Sequence, residues 1–573
     1  MEADLVLIHP PAYFEFRQQP SLTGLLSDLV PPTSVFEMYP LGFTSIGHYL
    51  EGYGFKVRIV NLAYRMLTNP RLDVDKFLRK LRARVFGVDL HWLVHAPGAL
   101  ELAHRLKKMH PGSAVILGGV SASYYHEEAI GYPGVDYVVR GDSTEEPLRQ
   151  LLLALKGSGR LEDVPNLTWK NQGRVMVNPL THVPDQLDYV EMPGYRYMVR
   201  AVARSFGLRD AVPYLGWLQN PMTAVLTSRG CARGCYYCGG SAPAYGKICG
   251  RKRPAYRSPA QLVKDMKFLS RLTRAPIYIL HDIRQPGQAY AGELLALLAE
   301  ARLRNQVIFE LFDPASPEFM GRLAGATRNF GLELALESSD TKLRRQNGKF
   351  ACSNQEVEAT VAAGLEAGAL TVHLYFMIGL SGQTRETVLA DAEFCRRLFE
   401  RHATRRLSAF VSPLAPFLDP GSPAFEEPGR YGYRVLWRSL EEHRRAVLEP
   451  TWKQTLNYET DMLTRGDIVD LTYEAARTFA DLKLEAGLMD EKAHAGLVDG
   501  IERSRQIIAR CDLALDLPDP ERGRMLQEVR RAIRAQPGPL LRGPGELVWP
   551  VPGLLRGAAG LVWAALAGAA WRY

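Results

Sequence analysis

Short apolar runs alternate with amphipathic segments through the first 160 residues, and this alternation most limits how the chain can fold. Each run is rich in aliphatic residues, and each is followed by apolar residues at helical spacing. The predicted strands span residues 4–9, 56–61, 84–90, 114–119 and 135–142. Strands and helices that alternate at this period favour an α/β domain with a parallel, doubly wound sheet of the flavodoxin-like type.

In such a sheet a ligand binds beyond the carboxyl ends of the strands. The loops at that edge span residues 10–11, 91–96, 118–123 and 140–146. None of them contains GxGxxG or GxxxxGK[ST], so neither a dinucleotide site nor a nucleoside-triphosphate loop is supported. The small residues at 118–123 would let a bulky ligand approach the backbone closely, although glycines that merely form a tight turn explain them equally well.

A second series of strand and helix signals fills the middle of the chain. Strands are predicted over residues 275–282, 306–312, 331–338, 370–380 and 407–414, with helices such as 259–272 and 354–367 between them. This repeat indicates a partial or full (β/α) barrel with its site at the carboxyl ends of the strands. We therefore divide the chain into a sheet domain (1–160), a linker (161–220), a barrel (221–420), a helical C-terminal cap (421–535) and an apolar tail (536–573).

Three of the seven cysteines lie within eight residues, at Cys231, Cys235 and Cys238. The N-terminus has no signal-peptide pattern, so we expect a reducing cytoplasm and no disulfide framework. A structural zinc site usually takes four protein ligands, and Cys249 is the nearest candidate for a fourth. Three ligands suit a [4Fe–4S] cluster with one iron open, while zinc or structural thiols are the alternatives.

The spacing C-x3-C-x2-C, with Tyr237 just before the last cysteine, resembles the radical SAM superfamily. The resemblance implies that the open iron binds S-adenosylmethionine and passes it one electron, which yields a 5′-deoxyadenosyl radical. Two further segments are similar to family motifs: ELALESSDTKLRR, and FMIGLSGQTRET with Ser381 where proline is common. Where relatives carry Gly-Gly-Glu, this chain has HDIRQPG. The contacts to S-adenosylmethionine implied in this way are Tyr237, Gly239, Gly240, Asp282, Glu337, Ser338 and Gly379.

A flavodoxin-like domain ahead of such a barrel resembles the cobalamin-dependent radical SAM enzymes, over about residues 1–420. The resemblance implies a cobalamin at the sheet edge. The residues that it would contact are Pro10, Pro11, His91, Gly118, Gly119, Ser121, Ser123, Arg140 and Gly141. Asp89 and His91 match the start of the DxHxxG motif that supplies a lower cobalt ligand elsewhere, but Val94 replaces its glycine. We therefore place His91 beneath the corrin without assigning it as a ligand.

The implied activity is methylation of an unactivated carbon of a small or lipid-like substrate. The methyl group would come from methylcobalamin, a second S-adenosylmethionine would restore it, and a flavodoxin- or ferredoxin-type donor would supply electrons. Two alternatives stay open: a ring cyclase or rearrangement enzyme without net methyl transfer, and a non-catalytic corrinoid-binding protein.

The charge pattern and the C-terminal tail bear on partners. The net charge of +8 is spread along the chain without a basic, aromatic-rich patch, so we expect no nucleic-acid partner. The uncharged run at 557–571 is 15 residues long, short of the ~20 residues that cross a bilayer. The tail is either an interfacial membrane anchor or a helix docked on protein. We expect a cytoplasmic protein, held at the inner face of the membrane if the tail is an anchor.

Overall fold

The computed structural model describes residues 3–23, 33–190, 212–217, 221–350, 352–414 and 416–535. These residues form an N-terminal sheet domain, a central barrel and a helical C-terminal region. The apolar tail, for which we predict a membrane-interface helix, lies outside the described residues, as does most of the second half of the predicted linker. Among the described helices, none is both long enough and apolar enough to cross a membrane.

The first sheet has seven strands in the order β2-β1-β3-β4-β5-β6-β7. Its first five strands pair in parallel, with Val6 of β1 opposite Phe86 of β3, and the last two are antiparallel. The order 2-1-3-4-5 is that of flavodoxin-like folds, which confirms the predicted class. The strands are β1 (Ala3–His9), β2 (Val57–Asn61), β3 (Ala83–Asp89), β4 (Ala114–Gly118), β5 (Tyr137–Val139), β6 (Leu167–Asn171) and β7 (Arg174–Val177).

Helices cover both faces of this sheet because alternate side chains of each strand point to opposite sides. Leu5 and Leu7 of β1 pack with the helices Gly42–Gly52 and Glu145–Leu155, while Val6 and Ile8 pack with Ala96–Met109. Both faces are thus buried, as a parallel sheet requires. Further helices of this domain are Leu62–Thr68, Val74–Lys80, Val120–Tyr124 and His126–Ala129.

The hairpin β6–β7 lies in the segment that the sequence predicts to be a linker. Its two-residue turn, Gln172 and Gly173, has positive φ at both positions (45° and 82°), the conformation of the tightest hairpin turns. Leu167 and Trp169 of β6 are buried and extend the sheet. The first domain therefore continues to Val177 instead of ending at residue 160.

A second, six-stranded sheet forms the barrel, and a two-stranded pair precedes its second strand. The barrel order is β15-β14-β13-β12-β11-β8, with all neighbours parallel, so six strands form a partial barrel. The strands are β8 (Thr223–Leu226), β9 (Ser228–Arg229), β10 (Ala255–Tyr256), β11 (Ile277–Leu280), β12 (Val307–Leu311), β13 (Phe330–Glu337), β14 (Thr371–Ile378) and β15 (Leu407–Pro413). The helices are Ala242–Cys249, Pro259–Leu272, Gln288–Ala301, Pro317–Ala326, Thr341–Gln346, Asn354–Glu366 and Arg385–His402.

The C-terminal region is helical, as predicted, and packs on the last barrel strands. Phe479 lies against Phe376 of β14, and the Lys483 ammonium lies 4.3 Å from the centre of the Phe410 ring in β15. A short antiparallel pair, β16 (Tyr433–Val435) and β17 (Tyr458–Thr460), joins it to the barrel. The helices are Pro423–Glu426, Leu440–Val447, Trp452–Thr455, Arg465–Glu485, Glu491–Leu515 and Glu521–Arg534.

A buried ion pair connects the barrel to the sheet domain. Arg229 of β9 donates from Nη1 to Oε2 of Glu145 at 3.0 Å and to Oγ of Ser143 at 3.0 Å. Ser45 Oγ donates to Oε1 of Glu145 at 2.8 Å. Burial disfavours the Glu145 carboxylate, but Arg229 and these hydrogen bonds outweigh it and lower the pKa of Glu145. The pair thus joins the N-terminus of the helix Glu145–Leu155 to the start of the barrel.

Replacing Arg229→Met should lower the free energy of unfolding by about 3–5 kcal/mol, because it leaves a buried carboxylate without its partner. Urea denaturation of the full chain measures this change. The control is Arg385→Met, which breaks an exposed pair with Glu474 and should leave the urea midpoint nearly unchanged. Equal shifts in the two variants would show that Arg229 does not hold the domains together.

Candidate active site

A cavity of about 870 Å³ lies between the sheet domain and the barrel. One wall is the carboxyl edge of the first sheet with its loops, and the other is the interior of the barrel. Its volume is at the upper end of the range for small-molecule and cofactor sites. The described residues of both domains therefore enclose one common site, at the edge where the sequence predicts ligand binding in each.

Four of the nine predicted cobalamin contacts line this cavity: His91, Gly118, Gly119 and Gly141. Gly119 has a φ of 113°, and a Cβ atom there would lie 2.6 Å from the Cα and N of His91. A side chain at this position is thus excluded both by conformation and by space. Gly119 therefore lets its loop pack directly on the backbone of His91, which lies in the neighbouring loop of the cavity wall.

The hydroxyl groups of the two serines in this loop bond to neighbouring backbone. Ser121 Oγ donates to the His91 carbonyl at 2.9 Å. Ser123 Oγ donates to the Gly119 carbonyl at 2.8 Å and accepts from the Gly141 N–H at 2.9 Å. Both hydroxyl groups are thus used within the loops, and they hold the glycine wall in shape.

Pro10, Pro11 and Arg140 also lie outside the described lining of the cavity. The two prolines are buried. The Pro11 carbonyl packs so closely on Gly98 that a Cβ atom at Gly98 would lie 1.8 Å from the Pro11 oxygen. Arg140 is buried and donates to the Asn178 carbonyl. These three residues support the loops behind the cavity instead of facing it.

Two histidines and an aspartate form a buried polar cluster at the sheet edge. His9 Nδ1 lies 3.0 Å from Asp89 Oδ1, and the Nε2 atoms of His9 and His95 lie 2.9 and 3.0 Å from the Phe36 carbonyl. All three side chains line the cavity. Asp89 Oδ2 and His95 Nδ1 are buried and have no hydrogen-bond partner among the described residues.

The barrel wall of the cavity is polar. Tyr278, Glu310, Glu333 and Tyr375 line it from four successive strands. Glu333 Oε1 lies 3.5 Å from the Tyr278 hydroxyl and 3.1 Å from His373 Nδ1. Burial, together with the charge of Glu333, raises the pKa of Glu310 to about 7. Polar groups from four barrel strands thus reach the cavity among apolar neighbours such as Leu280 and Leu311.

The cysteine loop follows β9 at the mouth of the barrel, and all three thiols are free. The N–H of Arg233 donates to Cys231 Sγ at 3.3 Å, and the N–H of Gly240 donates to Cys238 Sγ at 3.2 Å. Such N–H donors stabilise thiolate ligands and tune iron–sulfur clusters. Burial raises the pKa of Cys238 to about 12. In the ranges described, no group of three or more His, Cys, Asp and Glu side chains is arranged to hold a metal ion.

Glu337 lies at the end of β13, beside the cysteine loop. Lys349 Nζ donates to its Oε1 at 2.7 Å, and the buried Tyr237 hydroxyl also bonds to this carboxylate. Glu337 Oε2 is buried without a partner in the described part of the chain. Since a buried carboxylate oxygen needs a donor, this atom suits the amino group of a bound ligand.

The remaining residues predicted to bind S-adenosylmethionine are engaged in the protein. Ser338 Oγ donates to the buried Asp391 at 3.1 Å. Asp282 accepts from Arg284 Nη2 at 2.6 Å and from the Phe312 N–H at 2.9 Å, so its carboxylate fixes the ends of β11 and β12. These partners leave Ser338 and Asp282 as supports of the barrel mouth.

Glycines at the barrel mouth are required by close neighbours. The N–H of Gly239 donates to Asp419 Oδ2 at 2.8 Å, and a Cβ atom at Gly239 would lie 2.8 Å from Asp419 Cβ. Gly379 has a φ of 97°, and a Cβ atom there would lie 2.1 Å from the Tyr458 hydroxyl. Gly240 contacts Cys238 as described above, so all three glycines shape the mouth through their backbone.

Sequence reasoning missed Lys349 and Asp419, which no motif marks. It also missed His9, although a histidine directly after a buried strand was a usable signal. Lys349 connects the two parts of the site: its Nζ lies 5.7 Å from the centre of the Phe312 ring, and Phe312 lines the cavity. The cysteine loop and Glu337 are not among the residues that line the cavity, and Lys349 approaches it only through Phe312.

This arrangement defines a two-domain α/β protein whose ligand cavity lies between a doubly wound sheet and a partial barrel with a three-cysteine loop. The model of the B12 binding domain matches residues 30–151, and that of the radical SAM superfamily matches residues 225–395. The chain therefore belongs to the cobalamin-dependent radical SAM enzymes, those that carry a B12-binding domain ahead of the radical SAM barrel.

One curated relative is the hopanoid C-3 methylase of Methylococcus capsulatus, 26% identical over 313 residues. The match covers 50% of this chain and 54% of that protein, so the chain spans about half the length of this relative.

Two solved structures share the fold over nearly the whole chain. The methyltransferase TsrM of Kitasatospora setae, solved with cobalamin and a [4Fe–4S] cluster, is 16% identical with a TM-score of 0.57, covering 93% of this chain and 100% of that one. The cobalamin-dependent S-adenosylmethionine radical enzyme OxsB, with aqua-cobalamin bound, is 14% identical with a TM-score of 0.55, covering 99% and 80%.

Replacing Gly119→Ala should destabilise the protein more than Gly54→Ala, as measured by urea denaturation. Both glycines have positive φ, and each substitution costs about 1–2 kcal/mol for that conformation. A Cβ atom at Gly54 meets nothing within 4 Å, whereas at Gly119 it overlaps the backbone of His91. Equal losses of stability would mean that the backbone around Gly119 adjusts to a Cβ atom, so that glycine is not sterically required there.

Proposed function

We propose that this protein is a cobalamin-dependent radical SAM methyltransferase that acts on an unactivated carbon of a small molecule. The observation that carries the proposal is the common cavity between the glycine-bearing edge of the B12-binding domain and the barrel interior, where Phe312 lines the cavity and contacts Lys349. When bound, the cluster and S-adenosylmethionine supply a hydrogen-abstracting radical, and methylcobalamin supplies the methyl group.

At the barrel mouth, the proposed cluster ligands are Cys231, Cys235 and Cys238, whose sulfur atoms already receive backbone N–H groups at two positions. The unpaired Glu337 Oε2 would accept from the amino group of S-adenosylmethionine. Lys349 donates to the other Glu337 oxygen and orients the carboxylate.

At the sheet edge, Gly118, Gly119 and Gly141 would contact the corrin ring of cobalamin, with His91 beside them. The fit rests on glycines at the cavity wall and on buried acceptors, Asp89 Oδ2 and His95 Nδ1, that have no donor among the described residues. The apolar side chains of Leu7 and Ile116 extend this wall along the sheet.

The substrate would lie between the two cofactors and reach into the barrel. Tyr278, Glu310, Glu333 and Tyr375 there offer hydroxyl and carboxyl groups. Polar groups on this wall support a substrate with hydrogen-bonding groups over a purely hydrocarbon one, because such groups can exchange hydrogen bonds with the wall. A lipid-like substrate with a polar end is the variant that the hopanoid methylase relative supports.

Anaerobic turnover of the iron-reconstituted, cobalamin-loaded protein with methyl-labelled S-adenosylmethionine and a cell extract tests this function. Label in a new product, formed together with 5′-deoxyadenosine, is expected. Formation of 5′-deoxyadenosine without incorporated label would contradict methyl transfer and favour ring formation or rearrangement. If neither product forms, a non-catalytic corrinoid-binding protein becomes the better interpretation.

The cluster assignment has its own readout. Cys235→Ala should lose most of the bound iron and all formation of 5′-deoxyadenosine, because three thiolates are needed to hold the cluster. Cys249→Ala is the matched control: this thiol is buried against Ala244 and Ile248 and should leave the iron content unchanged. Loss of iron in Cys249→Ala, with retention in Cys235→Ala, would reverse the ligand assignment.

A further inference from the structure

The cluster of His9, Asp89 and His95 carries an inference beyond the assignment of a cobalamin domain. These side chains come from the end of β1, the end of β3 and the turn before the helix Ala96–Met109. Their exposed fractions are 0%, 4% and 2%, yet all three line the cavity. The His9 and His95 rings lie 4.8 Å apart, edge to face.

The hydrogen bonds fix the protonation of each ring. A carbonyl oxygen can only accept, so the Nε2 atoms of both His9 and His95 must carry the hydrogen that they share with the Phe36 carbonyl. Burial opposes a charge on His9, but the Asp89 carboxylate and the two hydrogen bonds outweigh it and raise the pKa of His9. His9 is therefore a donor at both nitrogens, one to Phe36 and one to Asp89.

His95 is the neutral partner. Burial and the neighbouring charge of His9 lower the pKa of His95 to about 4. With its hydrogen on Nε2, its Nδ1 carries a bare lone pair and is an acceptor. Burial also opposes the charge on Asp89, but the charge and hydrogen bond of His9 lower its pKa, so Asp89 Oδ2 is a second acceptor.

Two buried acceptors thus belong to residues that line one cavity, and no donor from the described residues reaches either of them. Leaving both unsatisfied is costly, whereas one group with two donor hydrogens satisfies both. The cluster is balanced in charge, since His9 and Asp89 cancel and His95 is neutral. A neutral donor fits it better than a cation does.

We propose that Asp89 Oδ2 and His95 Nδ1 together bind one neutral, two-donor group of the corrinoid, with His9 as the positioning residue. A primary amide on the edge of the corrin ring and a water molecule on its cobalt share this chemistry. This inference rests on the cobalamin of the proposed function, but not on methyl transfer.

The same geometry bears on His91. A histidine that binds a metal almost always donates its other N–H to a carboxylate, a carbonyl or water. Asp89 stands two residues before His91, where it would orient such a ligand, but its Oδ1 is bonded to His9 instead. No hydrogen bond of the His91 ring to the described residues accompanies this. Asp89 Oδ1 is thus engaged by His9, and no described residue orients the His91 ring through a hydrogen bond.

Binding of hydroxocobalamin to the full-length protein, followed by its visible spectrum, tests the inference without turnover. Asp89→Asn turns an acceptor into a donor, and His95→Phe removes the other acceptor. Each should weaken binding at least tenfold, and the double variant should lose little more than the worse single one because both act on one group. Unchanged affinity in either single variant would overturn the proposal.

Two matched controls separate this effect from general damage to the domain. His110→Phe removes a ring whose Nε2 also bonds a carbonyl, that of Leu78, but which does not line the cavity. Asp136→Asn alters a carboxylate that accepts from the Val115 N–H at the N-terminal end of β4, the end opposite to the cavity loops. Both should bind hydroxocobalamin as the unmodified protein does. If either control weakens binding as strongly as the cavity variants, the proposal fails.

Electron paramagnetic resonance of the bound cob(II)alamin distinguishes the two donor sources in the unmodified protein. In water enriched in oxygen-17, line broadening identifies a cobalt-bound water as the donor, and unbroadened lines identify a corrin amide. Nitrogen splitting that is present in the unmodified protein and absent in His95→Phe would mean that His95 binds cobalt directly, which overturns the proposal. Cobalamin binding itself would then still stand, so this failure is distinct from failure of the proposed function.

Discussion

The buried ion pair between Arg229 and Glu145 is the interaction on which the arrangement of this protein depends. It joins the first loop of the barrel to the helix that follows β5, directly beside the cavity wall. Arg251 adds a second contact by donating from Nη2 to Asp142 Oδ1 at 2.9 Å. Buried charges are stable only when they are paired, and here each domain supplies the ion-pair partner of a buried charge in the other. The cavity exists because these contacts bring two carboxyl edges face to face.

The two walls of the cavity differ in chemistry, so they suit different parts of a bound ligand. The sheet wall is glycine-rich, with two unpaired acceptors at its edge. The barrel wall is lined with hydroxyl and carboxyl groups, and Phe312 separates it from the Lys349–Glu337 pair. The two walls therefore offer different partners to a bound molecule.

The fold class and the cysteine loop follow from local sequence signals, since alternation and spacing are properties of neighbouring residues. The details of the site do not. His9, Asp89 and His95 meet only because three separate elements end at one point, and Ser338 turns to Asp391, 53 residues further along the chain. The β6–β7 hairpin escaped prediction because its strands are short and its signal is a single turn at Gln172 and Gly173. Contacts that depend on tertiary packing are not encoded in any one segment.

The central claim is that one cavity holds cobalamin against the barrel mouth that carries the cluster. Anomalous-difference maps at the cobalt and iron absorption edges, from crystals loaded with hydroxocobalamin, iron and sulfide, test it directly. The account predicts a cobalt peak inside the cavity between Gly119 and Phe312, and an iron peak bounded by Cys231, Cys235 and Cys238. A cobalt peak on any surface outside this cavity, or iron away from the three cysteines, would contradict it.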